Sequence, residues 1–279
     1  MPQVKINEVM IHYELDGNGA ETIVFLNGIM MSTLSWAEWI SIYLNNNYRI
    51  LRIDFRDQGQ SEKCREDYKL EQHVRDLKVL LKYLGIERAH LMGPSYGGQV
   101  AMLFTLEYPE QVVSLILPNT TARVTNHLKS VGEMWDQAAK LNDGVKFFRI
   151  AMPLIYSSEF YQSNYAWLKE REKFFGQILN QEWFEAYLRL SSSLDGFDIL
   201  ARIHEIRVPT MVIGSSLDQV TPLEEQTKIH KEIAGSLLVI IPGAGHASFY
   251  EKPHEFNSII LGFLAWRRGA VMENEGFKM

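Results

Sequence analysis

The residues with the clearest chemical potential lie in one short stretch, Gly93-Pro94-Ser95-Tyr96-Gly97-Gly98. A serine with glycine two positions to either side suits a strained strand-to-helix turn that projects its hydroxyl from a sheet edge. The helix behind such a turn starts with N–H groups that lack intrahelical acceptors and favour an anion. Ser95 is therefore a candidate nucleophile, and the Tyr96 N–H a candidate donor to an oxyanion. The competing view is a glycine-rich turn carrying an incidental serine. Position decides against it, because the apolar run Ala89–Met92 precedes the turn and the helical run Gln99–Leu106 follows. A phosphate-binding loop is excluded, since the turn lacks a Gly-Lys-Ser/Thr ending and no Gly-x-Gly-x-x-Gly occurs.

A serine hydroxyl needs a base, and the base needs an orienting acid. Of the eight histidines, only His246 sits in a glycine-rich loop directly after a predicted strand, in Pro242-Gly243-Ala244-Gly245-His246. His73, His127 and His230 fall in helical patterns, and His12 and His90 accompany strands. His204 precedes a strand, and His254 follows Pro253 at a helix start. Asp218, in Leu217-Asp218-Gln219-Val220-Thr221-Pro222, follows the preceding strand and is the candidate acid; its simpler role is to cap a helix starting near Pro222. Asp195 and Asp198 compete for the role but fall before that strand. A second oxyanion donor is expected from Leu26-Asn27-Gly28-Ile29-Met30, with Ile29 first and Met30 next. No His-x-x-x-His pair occurs, so no metal is expected.

The elements that must carry these residues are legible from periodicity. Val9–Tyr13, Thr22–Leu26, Tyr48–Ile53, Ala89–Met92, Val112–Leu117, Thr210–Gly214 and Leu237–Ile241 read as strands. Helical patterns cover Leu34–Leu44, Leu70–Leu84 and Tyr96–Tyr108; in the second, Val74, Leu77, Leu80, Leu81 and Leu84 form one apolar stripe. Strands alternating with such helices imply crossovers and a largely parallel sheet. Val4–Asn7 is expected to pair antiparallel with the first strand. Residues 121–202 hold helix-like segments rich in aromatic residues and no convincing strand. The chain thus divides into a core of 1–120 and 203–272, a helical insertion of 121–202, and a polar tail, 273–279, expected to fray.

Composition narrows the function. A net charge of −6 with interspersed signs and no basic stripe argues against nucleic acid or an anionic membrane as partner. The single cysteine, Cys64, excludes an intrachain disulfide and a cysteine-based zinc cluster. The first residues lack the apolar core of a signal peptide, and no run of about 18 apolar residues could span a bilayer. A cytoplasmic protein is expected, with no cofactor implied. A homo-oligomer is left open.

Taken together, these segments resemble the α/β-hydrolase superfamily, and within it the capped esterases, enol-lactonases, cofactor-free haloperoxidases and carbon–carbon bond hydrolases. The resemblance runs from about Ile11 to Trp266. It is carried by Phe25-Leu26-Asn27-Gly28, Asp54-Phe55-Arg56-Asp57-Gln58-Gly59-Gln60-Ser61, the turn at Ser95, Leu217-Asp218, and Gly243-Ala244-Gly245-His246 through Pro253. It implies a mostly parallel eight-stranded sheet flanked by helices, a helical cap over the site, and a Ser-His-Asp triad. Two positions depart from the family pattern: Asn27 stands where His is frequent, and Pro94 where His or Asn is frequent. A serine nucleophile argues against epoxide hydrolase or dehalogenase chemistry, which uses Asp.

The expected reaction is hydrolysis of a small carboxylic ester, lactone or thioester with a hydrophobic group. A carbon–carbon hydrolase or acyltransferase with the same triad is the first alternative, and a non-catalytic binding protein the second. Aromatic residues from Trp135 to Tyr187 imply an apolar ceiling over Ser95. Arg123, Arg149, Arg171 and Arg189 could meet a substrate carboxylate, although each equally suits a solvated helix face.

Overall fold

The computed structural model describes residues 2–38 and 40–274. The chain opens with a hairpin, β1 (Gln3–Ile6) against β2 (Val9–Asp16), in the antiparallel pairing expected. Its two-residue turn puts Asn7 and Glu8 at φ 44° and 72°, the left-handed pair whose twist matches the strands. Next come β3 (Glu21–Leu26), α1 (Ile40–Asn45), β4 (Tyr48–Ile53), α2 (Glu71–Tyr83), β5 (Ala89–Met92), α3 (Tyr96–Glu107) and β6 (Val112–Pro118). The chain then leaves the sheet for five helices: α4 (Asn126–Ala139), α5 (Gly144–Ile155), α6 (Ser158–Ser163), α7 (Tyr165–Ile178) and α8 (Gln181–Ser192). It returns as β7 (Thr210–Ser215), α9 (Leu223–Glu232), β8 (Leu237–Ile241), α10 (Ser248–Glu251) and α11 (Pro253–Asn274).

Among the described residues the eight strands form one sheet in the order β1-β2-β4-β3-β5-β6-β7-β8, parallel from β4 onward. A parallel sheet needs both faces covered, and two apolar clusters do so. On one face Val74, Leu77, Leu80 and Leu81 of α2 pack with Val100 and Phe104 of α3. On the other, Tyr43 of α1 and Phe256, Ile260 and Phe263 of α11 form a layer continuous with Trp135, Phe147 and Phe184 of the insertion. The insertion is thus seated on the core by shared apolar packing. Its neck is closed by an isolated antiparallel bridge between Arg123 and Asp198.

Two expectations need correction. The single helix read over Leu34–Leu44 is instead a 3₁₀ turn, Thr33–Trp36, followed by the short α1. Local bonds explain the break: the Thr33 N–H donates to Asp54 Oδ1 at 2.7 Å, and the Trp36 indole N–H donates to Asn27 Oδ1 at 2.7 Å. Both draw the chain inward, out of helical register. The tail expected over 273–279 overlaps α11, which runs to Asn274; residues 275–279 lie outside the described residues.

Candidate active site

The candidate residues gather at the carboxyl ends of the parallel strands: Asn27 after β3, Ser95 after β5, Asn119 after β6, Asp218 after β7 and His246 after β8. Ligands of open α/β sheets bind at this edge. Ser95 has φ 52° and ψ −119°, a conformation that costs a non-glycine residue about 1–3 kcal/mol. Its surroundings hold it there. The Ser95 N–H donates to Pro118 O at 3.1 Å, and Thr120 Oγ1 donates to Ser95 O at 2.6 Å. The flanking glycines are required by close approach, since a Cβ on Gly97 would lie 2.4 Å from Leu26 O and one on Gly93 2.4 Å from the Gly97 carbonyl carbon.

Asp218 and His246 are brought together. The Nδ1 of His246 lies 2.9 Å from Asp218 Oδ2 and 3.0 Å from Oδ1, with the carboxylate side chain wholly buried. Asp218 Oδ1 also accepts from the Val220 and Thr221 N–H groups, each at 2.9 Å. Its Oδ2 accepts from Thr221 Oγ1 and Asn119 Nδ2, again each at 2.9 Å. The same carboxylate therefore closes the loop before α9 and holds the imidazole. Burial pushes its acidity down, but the His246 charge and hydrogen bond, with Asn119 and Thr221, outweigh it; the carboxyl sits below its ordinary pKa. A carboxylate so fixed orients the ring with Nδ1 protonated, leaving Nε2 free to accept a proton. Asp195 borders the second of the cavities described below, but neither it nor Asp198 bonds His246: the Asp195 carbonyl accepts from Lys69, and Asp198 Oδ1 accepts from the Leu200 N–H.

The histidine loop is tied to the insertion. Glu251 Oε1 accepts from both Gly245 N–H and Ser157 N–H at 3.0 Å. A Cβ on Gly245 would meet Ser157 N at 2.7 Å, so only glycine lets the α5–α6 junction pack there.

Ser95 stands where two cavities meet. One, of about 110 Å³, is walled by Ser95 and His246 together with Ile29, Met30, Trp135, Tyr156 and Phe249. The other, of about 160 Å³, runs from Ser95 and Tyr96 past Gln99, Tyr187 and Thr221 towards Asp136. The aromatic residues of the insertion divide accordingly. Trp135 borders both cavities, Tyr156 and Phe175 border the first, Phe147, Phe148 and Phe184 are internal packing, and Tyr165 and Phe174 are exposed.

The four candidate arginines separate equally cleanly. Arg149 pairs with Glu172 at 2.7 Å, Arg189 with Asp57 at 2.8 Å, and Arg123 with Glu225 at 3.8 Å. Arg171 has no carboxylate partner among the described residues. It lies over the rings of Trp167 and Phe175 and borders the cavity shared by Ser95 and His246.

The sequence assigned no site role to two residues. Asn119 bridges Ser248 Oγ and Asp218, and Gln58 holds the loop after β3. Each is a lone polar residue whose partner is distant in the chain, with no spacing to mark it. Among the described residues, no group of His, Cys, Asp and Glu suits a metal ion, and no helix is long and apolar enough to cross a membrane.

Comparison with known proteins gives a consistent picture. The profile of a family described as alpha/beta hydrolase fold matches residues 21–253. A 2-hydroxy-6-oxononadienedioate/2-hydroxy-6-oxononatrienedioate hydrolase of Klebsiella pneumoniae is 28% identical, over 91% of this chain and 91% of its own. Among solved structures, an alpha/beta hydrolase enzyme from a Medee basin deep-sea metagenome library is 35% identical with a TM-score of 0.91, covering 95% of this chain and 97% of its own. An N-acyl homoserine lactone degrading enzyme is 26% identical with a TM-score of 0.79, covering 94% and 100%.

Proposed function

Because the chain belongs to the alpha/beta hydrolase fold family, we propose that it is a serine hydrolase cleaving a carboxylic ester, lactone or thioester of a hydrophobic acid. The observation that carries this reading is the buried Asp218–His246 pair beside an apolar cavity that His246 shares with Ser95. As Ser95 Oγ attacks the carbonyl carbon, His246 Nε2 takes the hydroxyl proton and Asp218 stabilises the imidazolium. The N–H groups of Ile29 and Tyr96 receive the oxyanion. Collapse breaks the bond to the leaving oxygen or sulfur, which takes the proton from His246. Water then attacks the acyl-enzyme with His246 again as base, releasing the acid and restoring Ser95.

The test is covalent. A fluorophosphonate should label the wild-type protein at Ser95, p-nitrophenyl esters should turn over, and Ser95→Ala should abolish both. Labelling that persists in Ser95→Ala removes Ser95 as nucleophile. Inertness of the wild type to both reagents rejects the ester reading.

Arg171 favours a second reading, in which the scissile bond is carbon–carbon and the substrate carries a carboxylate. A guanidinium with no acidic partner among the described residues, bordering the cavity that the candidate nucleophile also borders, is suited to a bidentate anion. The Klebsiella pneumoniae relative is named for a dioate. A panel of neutral esters and of 6-oxo dienoates separates the two readings. Turnover of the dienoates alone, lost in Arg171→Met, selects the second; turnover of neutral esters alone rejects it.

A further inference from the structure

One side chain holds two successive peptide planes of the loop after β3. Gln58, only 3% exposed, donates from Nε2 to Gly28 O at 2.9 Å and to Ile29 O at 3.3 Å. Its Oε1 accepts from Asn27 Nδ2 at 3.2 Å and from the Phe55 N–H at 3.3 Å, so both ends of the amide are engaged. A trans peptide is planar, with its C=O and N–H on opposite edges. Drawing the Gly28 carbonyl towards Gln58 therefore turns the Ile29 N–H the other way. Drawing the Ile29 carbonyl to the same nitrogen does the same for the Met30 N–H. Ile29 and Met30 both border the cavity of Ser95 and His246.

The two planes differ in what else restrains them. Gly28 O also accepts from the Met31 N–H at 3.1 Å, the bond that closes the Gly28–Met31 turn. Such a turn bond allows the central peptide, here Ile29–Met30, two orientations related by a flip, the flipped one needing a positive φ at Met30 that a methionine adopts only under strain. The side-chain bond that distinguishes those two orientations is the one from Gln58 to Ile29 O. We infer that Gln58 is the positioning residue of the oxyanion site, its carboxamide setting the direction of the Ile29 and Met30 N–H groups. This inference rests on the acyl-transfer reading above. Glutamine is required because the position needs a donor for two carbonyls and an acceptor for two N–H groups. A glutamate supplies only the acceptor, and a methionine neither.

The experiment uses Gln58→Met and Gln58→Glu in the full chain, with p-nitrophenyl ester kinetics, a trifluoromethyl ketone as tetrahedral mimic, and thermal unfolding. Deleting one oxyanion donor outright lowers kcat by about 100- to 1000-fold. A loop that loses its restraint keeps the donor aimed part of the time, so kcat should fall about 10- to 100-fold. The inhibition constant of the ketone should rise by the same factor while KM moves less than about twofold, because substrate in its ground state makes little use of the site. Unchanged kcat and ketone affinity in either folded variant overturn the inference. So does a parallel loss of kcat and KM without selective loss of ketone affinity, which marks a merely structural residue. If both variants fail to fold, the role is structural and the inference falls. Failure of wild-type labelling at Ser95 instead rejects the acyl-transfer reading itself.

Discussion

At the scale of single residues, Asp218 carries the most argument, because one carboxylate closes a loop and holds the proposed base. Asp218→Asn keeps the shape but replaces one acceptor with an NH₂ group. That group would face donors on Asn119 and Thr221, or else donate to His246 Nδ1. In the latter case the ring carries its proton on Nε2 and cannot accept one from Ser95. Turnover of p-nitrophenyl acetate should fall about 1000- to 10,000-fold; a loss below tenfold would mean that another group orients the ring. The lowered pKa also sets a sign. Stability contributed by ionised Asp218 is fully present above the ordinary aspartate value, and is lost as pH falls through its lower folded value. An activity loss between pH 7 and 5 therefore belongs to another group. Ser95 and His246 were legible because glycines crowd around them for steric reasons that leave a spacing. Asn119 and Gln58 were not, because a hydrogen bond across 99 or 30 positions needs only one residue of the right type at each end.

At the scale of elements, the question is how the five-helix insertion is fixed over the sheet edge. Alternation of strands and helices was enough to find the sheet and to see where it is interrupted. One polar tie between insertion and core was hidden, since it involves Asp57, which occupies a left-handed conformation at φ 68° and whose side chain is wholly buried. Arg189 of α8 embraces that carboxylate through Nε and the terminal nitrogen, reaching 2.8 Å. Removing the arginine strands a buried charge. Arg189→Met should destabilise the protein by about 3 kcal/mol in urea unfolding. The double variant Asp57→Gly/Arg189→Met should recover part of that loss, because glycine accepts the positive φ without strain and the unpaired carboxylate is gone, while the Cys64 N–H loses its acceptor. Additive losses in the double-mutant cycle would show that the pair does not couple insertion to core.

At the scale of the whole molecule, acid sensitivity should report on a histidine that takes no part in the proposed chemistry. His73 of α2 is fully buried against the rings of Phe55, Tyr68 and Tyr96, directly behind the Ser95 turn. Neither ring nitrogen has a hydrogen-bond partner among the described residues. Burial, reinforced by the Arg56 charge, lowers its pKa from 6.5 to about 3. Unfolded chains take up that proton near pH 6.5, whereas folded ones resist it down to about pH 3. Stability should therefore decline as pH falls through this window, by about 1.4 kcal/mol per unit below 6.5. Glu21, held at about 2 by His90 and Arg268, adds its own loss only below its ordinary 4.5. Between pH 6.5 and 5 the wild type should lose about 2 kcal/mol from this one residue. His73→Phe keeps an aromatic ring in the cluster and removes the site of protonation, so its urea midpoint should be flatter across that interval. An equal decline in both proteins would place the acid-sensitive group elsewhere, and the ring cluster behind Ser95 would then be tolerant of charge in a way its burial does not allow.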